Sequence, residues 1–257
     1  MFQQFVDLYF QHWKKWGWFG NYPTWEAAEL DCKGYDADGI FERVVAASRA
    51  VQHGQAAYER DSVLFFDDET NENLIKTLKN VVDTEGSVRV LDFGGSLGST
   101  FFQHQKQLSA FKNLIWCVVE QPHFVAAGQG EFETKTLKFE PTIAEAVAKY
   151  APNVAVFSSV LQYLPQPFSF IEAIHAAKIP YLFIDRTPFL SADVDRITKQ
   201  IVPSKIYSAS YPCWLFSEKR FKNALENYYV IESEFPALDK NNVLDCRYKG
   251  FFCHLKL

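Results

Sequence analysis

Apolar residues are distributed differently in the two parts of the chain that meet near residue 87. After that point they form short continuous runs that alternate with helical patterns; the runs are Val88–Phe93, Leu114–Val119, Val154–Ser158 and 181–184. Strands that are apolar on both faces and separated by helices are typical of a parallel sheet covered by helices on both sides. The pattern therefore predicts an α/β domain over residues 87–257.

Helices are predicted between these strands, where apolar positions recur at helical spacing; they cover residues 98–109, 124–130, 143–150 and 168–177. The end of the chain has a different pattern. A helix that begins after Ser217 is followed by the segments "YYVIESEF" and "YKGFFCHLKL". These segments predict two strands that pair antiparallel across the loop 236–247.

Residues 1–86 are predicted to form a helical extension, and no convincing strand precedes Val88. Aromatic residues recur at helical spacing over residues 2–13, and further helices are predicted over 24–32, 39–53 and 69–84. The aromatic face can pack on its own domain or make a peripheral contact with a membrane. The turn-rich segment "WFGNYPTW" can fold over an active site as a lid.

Composition narrows the class of protein. The 257 residues are 48% hydrophobic and 22% charged, which suits one large domain with an appendage. The net charge of −5 argues against a general nucleic-acid-binding protein. Five cysteines without C-x-x-C spacing predict neither a zinc site nor a disulfide framework, and no apolar run approaches about 18 residues. We therefore expect a cytoplasmic protein without a transmembrane segment.

The segment "VLDFGGSLGS" joins the first predicted strand to a helix and permits two interpretations. Its core, "GGSLG", matches G-x-S-x-G, the nucleophile elbow of α/β-hydrolases, in which Ser96 would attack the substrate. An elbow of that kind follows a middle strand of the sheet, whereas this one follows the first credible strand. A glycine-rich turn after a strand can also hold a nucleotide-like cofactor, and we favour this second interpretation.

Acidic residues near the loop favour a cofactor that contains adenosine. Glu120 ends the next strand some 22 residues after Gly98, where a carboxylate can accept hydrogen bonds from both hydroxyls of a ribose. Asp92 precedes Gly94 by two residues and can orient a polar or cationic group. Because the full G-x-G-x-x-G register is missing, we expect an adenosine-bearing ligand without a pyrophosphate.

The same segment resembles the first motif of class I S-adenosylmethionine-dependent methyltransferases, an aspartate followed by a G-x-G-x-G run, with Ser96 in place of the middle glycine. The resemblance implies a Rossmann-like fold with a seven-stranded, mostly parallel sheet and an antiparallel C-terminal hairpin. It also implies that Asp92 lies near the amino-acid end of S-adenosyl-L-methionine. The residues expected to bind this cofactor are Asp92, Gly94, Gly95, Ser96, Gly98, Glu120, Gln121, Ser158 and Ser159.

A resemblance to one bacterial family covers nearly the whole chain; its members are described as methyltransferases and are often encoded near surface-polysaccharide genes. It is carried by "GNYPTWEAA", "AAYERDSVLF", "VLDFGGSLGS", "WCVVEQPHF", "SSVLQYL", "IDRTPF" and "YPCWLFSE". It implies methyl transfer to a hydroxyl or amine of a small molecule or sugar, without a metal. The alternative is a non-catalytic protein that retains the fold and binds the cofactor or a glycan.

Residues at the predicted carboxyl edge of the sheet are candidates for the acceptor site. His123 and Asp185 are alternative general bases, although His123 can instead cap a helix and Asp185 can form a structural pair with Arg186. Arg186 can also hold an anionic group of the substrate. Packing in the core is the alternative for the aromatic candidates. The residues expected to line the acceptor site are Gln162, Tyr163, Arg186, Tyr207, Tyr211 and Trp214.

Overall fold

The computed structural model describes residues 16–34, 39–204, 206–237, 239, 241 and 243–256. The strands are β1 (Gly17–Tyr22), β2 (Tyr58–Arg60), β3 (Val63–Phe65), β4 (Val88–Phe93), β5 (Leu114–Val119), β6 (Leu137–Glu140), β7 (Val154–Ser158), β8 (Tyr181–Leu190), β9 (Arg196–Ile201), β10 (Ser210–Ser217), β11 (Tyr229–Pro236) and β12 (Cys246–Leu255). The α-helices are α1 (Trp25–Leu30), α2 (Ile40–Gln52), α3 (Glu72–Glu85), α4 (Ser99–Gln103), α5 (Gln105–Leu108), α6 (Pro122–Ala127), α7 (Ile143–Tyr150), α8 (Pro167–Ala176) and α9 (Glu218–Glu226). The aromatic positions 2–13, for which a helix is predicted, lie outside the described residues.

The described residues form a ten-stranded sheet. Seven of its strands, here called the central sheet, follow in the order β6-β5-β4-β7-β8-β12-β11, and β10, β9 and β1 extend the sheet from β8. The first five pair in parallel, while β12 runs antiparallel to both of its neighbours, β8 and β11. Three strands, β4, β5 and β7, have the bounds predicted from their apolar runs. The predicted α/β fold, with its mostly parallel sheet and antiparallel C-terminal hairpin, is confirmed.

Helices cover both faces of this sheet because successive side chains of each central strand point to opposite sides. In β4, Val90 packs into the layer that contains Leu78 of α3, whereas Leu91 packs into the layer that contains Ile171 of α8. All four side chains are buried. The continuous apolar runs therefore reflect burial on both faces, as the sequence predicts.

Three strands lie within residues 1–86, so the prediction that no strand precedes Val88 is wrong. β1 pairs antiparallel with β9, and β9 pairs antiparallel with β10. The end of β10 pairs in parallel with the end of β8, where Phe216 lies opposite Phe189. The sequence conceals β1 because Gly17, Gly20 and Pro23 mark turns and its partner strand lies far along the chain. The helices predicted over residues 24–32, 39–53 and 69–84 are confirmed as α1, α2 and α3.

Helix ends follow the local sequence. Gly86 adopts a φ of 71° at the end of α3, a left-handed conformation that glycine tolerates best. Ser217 begins α9 and accepts a hydrogen bond from the Arg220 amide at 3.4 Å. The predicted helix over 98–109 is divided at His104, whose ring accepts a hydrogen bond from the Asn71 amide at 2.9 Å.

The described part of the chain sets three further limits. None of its helices is both long and apolar enough to cross a membrane. It contains no group of three or more His, Cys, Asp or Glu side chains that could hold a metal ion. All five cysteines are free, and Cys117, Cys213 and Cys253 are buried.

Candidate functional site

A cavity of about 1200 Å³ opens at the carboxyl ends of the central parallel strands. Ligands of open α/β sheets commonly bind at this edge, where the loops that follow the strands diverge. Its walls come from the loops after β4, β5, β6 and β7, from α4, α7 and α8, and from single residues of β8, β9 and β10. The predicted cofactor residues that line it are Asp92, Gly94, Gly95, Ser96, Glu120, Gln121, Ser158 and Ser159.

The loop after β4 is shaped by residues that must lack a side chain. A Cβ atom on Gly94 would lie 2.5 Å from Val160 Cγ2, and one on Gly95 would lie 2.5 Å from Asp92 Oδ2. Ser96 has a φ of 55°, which costs a residue with a side chain about 1 kcal/mol. The chain therefore turns closely around Asp92, and the floor of the cavity is backbone.

Gly98 differs from the other glycines of this loop, because it does not line the cavity. Its φ of 93° starts α4, and a Cβ atom there would lie 3.0 Å from Leu137 Cδ2. This glycine allows α4 to approach β6, and its contact with the cofactor stays a prediction.

Asp92 is a buried carboxyl group at the inner end of the cavity, with 1% of its surface exposed. Its Oδ2 atom accepts a hydrogen bond from Trp116 Nε1 at 3.0 Å. Burial raises the pKa of Asp92 to about 7, and the nearby carboxylate of Glu120 contributes in the same direction. A cationic group bound beside it would therefore stabilise its ionised form.

Glu120 lies at the end of β5 and connects two loops. Its Oε2 atom accepts a hydrogen bond from the Gln121 amide at 2.7 Å. Burial raises its pKa, while backbone hydrogen bonds from Gln121 and Ser96 act in the opposite direction. The carboxylate is thus held at the cavity wall next to the glycine loop, as expected for a group that accepts hydrogen bonds from a diol.

The loop after β7 contributes Ser158 and Ser159 to the cavity, but not Gln162. Gln162 is fully buried, and its Nε2 atom donates to Ser159 Oγ at 3.1 Å and to the Arg186 carbonyl at 3.3 Å. Binding of the acceptor by Gln162 stays a prediction. Its amide supports the loop that holds Ser159.

Three of the predicted acceptor residues do line the cavity: Tyr163, Arg186 and Tyr211. The Tyr163 hydroxyl donates to Gln200 Oε1 at 2.9 Å, and the Tyr163 ring meets that of Tyr211 edge-on at 5.2 Å. Arg186 binds Asp239 through two hydrogen bonds of 2.8 and 2.9 Å. The side-chain partner of Arg186 is therefore Asp239, and not Asp185 as in the alternative given above.

The two candidate bases lie outside the cavity lining. His123 is exposed and packs its ring edge-on against Phe41 at 5.0 Å. Asp185 is buried, and its carboxylate accepts hydrogen bonds from Asn71 Nδ2 at 2.6 Å and from the Arg186 amide at 2.8 Å. Burial raises the pKa of Asp185 to about 6. Its contacts tie the start of α3 to β8, which is a structural role.

Tyr207 and Trp214 also lie outside the lining and belong to packed clusters instead. Trp214 stacks on Trp25 at 5.9 Å, and its Nε1 atom donates to the Leu164 carbonyl at 3.0 Å. These contacts are the core packing that was given as the alternative for the aromatic candidates, and acceptor binding by Tyr207 and Trp214 stays a prediction. Trp214 lies on strand β10.

Sequence analysis missed the hairpin formed by β2 and β3, which places Glu59, Arg60 and Asp61 along the cavity. Asp61 and Ser62 form its two-residue turn, with φ values of 52° and 65°. Glu59 is buried and accepts hydrogen bonds from Ser99 Oγ and from the Ser62 amide. The strands have three residues each, too short for an alternating pattern to stand out.

A second, apolar part of the lining lies between α7 and α8. The sequence does not predict this part of the lining, because its residues look like the ordinary buried face of each helix. Its residues are Phe93, Val119, Ile143, Ala144, Val147, Ala148, Phe170, Ala173, Ala176 and Ala177. One cavity therefore combines a polar floor at the strand ends with an apolar branch.

No protein-family model and no curated protein sequence matches the chain. Among solved structures, the chain is similar to the N-terminal domain of EvdMO1, crystallised in the presence of SAH and D-fucose. The identity is 10%, the match covers 86% of this chain and 100% of that one, and the TM-score is 0.51. At this identity the similarity shows the fold alone, a Rossmann-like α/β fold.

Two further solved structures are similar at lower TM-scores. The glycopeptide N-methyltransferase MtfA, complexed with S-adenosyl-L-methionine, has 8% identity over 71% of this chain and 94% of that one, with a TM-score of 0.47. The 1,6-didemethyltoxoflavin-N1-methyltransferase of Burkholderia thailandensis, with bound S-adenosylhomocysteine, has 14% identity over 88% of this chain and 94% of that one, with a TM-score of 0.45.

Proposed function

We propose that this protein transfers a methyl group from S-adenosyl-L-methionine to a hydroxyl or amine of a small molecule or sugar. The observation that carries the proposal is the joint position of Asp92 and Glu120. They lie at the ends of adjacent parallel strands, on either side of a loop whose glycines leave backbone at the cavity floor. This arrangement offers one carboxyl group for a cationic centre and a second for a ribose diol.

The described residues fit the proposed cofactor. Asp92 is buried without a basic partner among its hydrogen bonds, so an ammonium group would supply the missing positive charge. Glu120 faces the same cavity, and the apolar branch between α7 and α8 suits a flat adenine ring. Ligand sites usually measure roughly 300–1,000 Å³, so a cavity of about 1200 Å³ has room for an acceptor beside the cofactor.

S-adenosyl-L-methionine supplies a methyl group on a sulfonium: as the acceptor bonds to the methyl carbon, the carbon–sulfur electron pair stays on sulfur and the acceptor loses one proton. The chain itself has to align the two reactants and keep water out. The glycine loop and Glu120 fix one side of the cavity. Tyr163, Gln200 and Tyr211 line a second, aromatic and polar wall that can orient the acceptor.

We further propose a sugar or sugar derivative as acceptor, in surface-polysaccharide biosynthesis. This rests on the family resemblance of the sequence and on the presence of D-fucose with the N-terminal domain of EvdMO1. Aromatic walls such as the one containing Tyr163 and Tyr211 stack well on sugar rings. Five free cysteines favour a reducing, cytoplasmic location.

A non-catalytic protein that binds the cofactor or a glycan is the second candidate. It is favoured by one observation: both bases predicted from the sequence, His123 and Asp185, lie outside the cavity lining. Alignment alone can accelerate methyl transfer, so a missing base weakens the enzyme proposal without removing it.

Calorimetry with S-adenosyl-L-methionine and S-adenosylhomocysteine tests the cofactor site. We expect binding by the wild type and a loss of at least about tenfold in affinity for Glu120→Ala, since hydrogen bonds to a charged group are worth roughly 1.5–3 kcal/mol. Asp83→Ala, an exposed carboxylate on α3, is the matched control and should bind like the wild type. No binding by the wild type would contradict the proposal, and binding without methyl transfer to any sugar or amino sugar would favour the second candidate.

A further inference from the structure

The charged side chains that line the cavity are mainly acidic. There are four carboxyl groups and two guanidinium groups: Glu59, Asp61, Asp92 and Glu120, with Arg60 and Arg186. A cavity of this composition favours positively charged ligands and disfavours phosphates and carboxylates. The charge that a ligand would meet also depends on which of these groups are already paired within the protein.

Both guanidinium groups are already engaged by carboxylates that do not line the cavity. Arg60 binds Glu69 at 2.8 Å and lies over the rings of Tyr58 and Phe65 at 5.3 and 5.8 Å. Arg186 makes its two-point contact with Asp239. The edge of the Arg186 guanidinium formed by Nε and Nη2 is therefore already occupied, and its binding of an anionic substrate group stays a prediction.

Three of the four carboxyl groups also have partners within the protein. Asp92 binds Trp116, Glu59 binds Ser99 and the Ser62 amide, and Glu120 binds backbone amides. Asp61 differs from them. In the described ranges, no hydrogen bond or salt bridge engages its carboxylate, and its side chain is exposed at the cavity. Its charge acts on the Arg186 guanidinium, whose own hydrogen bonds go to Asp239.

The β2–β3 hairpin holds Asp61 in place. Asp61 forms the turn with Ser62, and two residues of β2 anchor the hairpin. The Ser62 amide donates to Glu59 Oε2 at 3.1 Å, and Ser99 donates to the same carboxylate. The next residue, Arg60, is bound to Glu69. The carboxylate is therefore presented on a supported turn rather than on a free loop.

The aromatic wall lies within electrostatic reach of this carboxylate. Burial is the main reason why the pKa values of Tyr163 and Tyr211 are raised, and the negative charge of Asp61 contributes to both. Both rings and Asp61 line the same cavity. A carboxylate near aromatic rings is a favourable environment for an ammonium group, which is attracted by the charge and by the ring faces.

We propose that the acceptor is a small molecule with a primary ammonium group, and that Asp61 is the residue that binds this group at the cavity. The inference rests on the proposed function, which it deepens from "hydroxyl or amine" to an amine acceptor. The bound ammonium would first give one proton to water; the lone pair of the neutral amine would then bond to the methyl carbon while the carbon–sulfur electron pair stays on sulfur. Asp61 lies on a different element from the groups assigned to the cofactor. It can therefore recognise the acceptor while Asp92 and Glu120 hold the cofactor.

The test uses two matched pairs of probes that differ mainly in an amine or a hydroxyl: D-glucosamine with D-glucose, and benzylamine with benzyl alcohol. Their affinities are measured by calorimetry in the presence of saturating S-adenosylhomocysteine. For the wild type we expect at least one amine to bind about tenfold more tightly than its alcohol, a difference of about 1.4 kcal/mol. Asp61→Asn should reduce that ratio to near one, because asparagine tolerates the left-handed turn but lacks the charge.

Asp67→Asn removes an exposed carboxylate just beyond β3 that does not line the cavity, and it should keep the preference for amines. Asp61→Gly, which also suits a φ of 52°, is a second variant if Asp61→Asn does not fold. No amine preference in the wild type, including no binding by any of the four probes, overturns the inference, and so does a preference that survives both Asp61 variants. If the wild type does not bind S-adenosylhomocysteine, that result would instead contradict the proposed function itself.

Discussion

The Glu59 carboxylate accepts a hydrogen bond from Ser99 Oγ, which joins the β2–β3 hairpin to the first turn of the helix that follows the glycine loop. Glu59 is buried, with 5% of its surface exposed, and burial raises its pKa. This contact makes a hairpin from the first third of the chain part of the wall of the cavity. Substitutions in the hairpin should therefore alter the structure of the glycine loop.

Glu59→Ala should lower both stability and cofactor affinity. It leaves the Ser99 hydroxyl and the Ser62 amide without their acceptor, and a buried polar group without a partner costs roughly 1–3 kcal/mol. The free energy of unfolding in urea and the affinity for S-adenosylhomocysteine measure the two effects. Asp68→Ala removes an exposed carboxylate near the same hairpin and should change neither by more than about 0.5 kcal/mol. Normal affinity in a destabilised Glu59→Ala variant would show that the hairpin does not support the glycine loop.

Gly95→Ala should disrupt the loop that surrounds Asp92. The added methyl group would lie 2.5 Å from Asp92 Oδ2, so the carboxyl group or the loop must move. Overpacking of this kind costs about 1–3 kcal/mol, and we expect S-adenosylhomocysteine binding to be lost or strongly weakened. Gly130→Ala is the matched control, since a Cβ atom there meets nothing within 4 Å. Equal cofactor affinity in the two variants would argue against a ligand at this loop.

Asp92 should make the protein less stable as pH rises. Burial raises its pKa from 3.8 to about 7, so the folded state binds this proton more tightly than the unfolded state. The stability contributed by the proton is fully present below about pH 4 and is lost as pH rises to about 7. Asp92→Asn lacks this dependence. The free energy of unfolding of the wild type, minus that of Asp92→Asn, should therefore fall between these two pH values.

Urea titrations of both proteins over this pH range provide the measurement. Asp83→Asn, at an exposed position of α3, controls for the loss of a carboxylate from the chain. A difference between the wild type and Asp92→Asn that stays constant with pH would show that Asp92 is not a buried acid.

Arg186 and Asp239 should be coupled in stability. Their two hydrogen bonds are partly buried, with 21% and 23% of the side chains exposed. A double-mutant cycle with Arg186→Met and Asp239→Asn should give a coupling free energy of about 1–3 kcal/mol. The Lys219–Asp193 pair, exposed by 72% and 78%, is the control and should give less than about 0.5 kcal/mol. Similar coupling in both pairs would mean that Arg186 remains available to an anionic substrate.

The sequence predicts best the strands whose residues are apolar at successive positions, because both faces of these strands are buried. β4, β5 and β7 are apolar on both faces because helices cover both sides of the sheet, and this leaves continuous runs in the sequence. β9, "RITKQI", lacks such a run because only part of it is buried. β6 has only four residues. Such strands are determined mainly by the strands with which they pair, β5 in the case of β6, and β1 and β10 in the case of β9.

The residues of the candidate site also differ in how well the sequence predicts their positions. The positions of Asp92 and Glu120 follow from the strand ends, which the sequence marks clearly. Asp61 could not be found by this reasoning, because its place at the cavity depends on a hairpin whose contact with Ser99 is long-range. His123 was placed at the correct edge of the sheet but points its ring towards Phe41, a direction that spacing along the chain does not determine.

The two walls of the cavity are only loosely joined through the backbone. The residue pairs of β10 with β8, Phe216 with Phe189 and Ser217 with Leu190, are the paired positions that connect the β1-β9-β10 unit to the central sheet. Mutations in that unit can therefore reshape one wall while the opposite wall keeps its geometry.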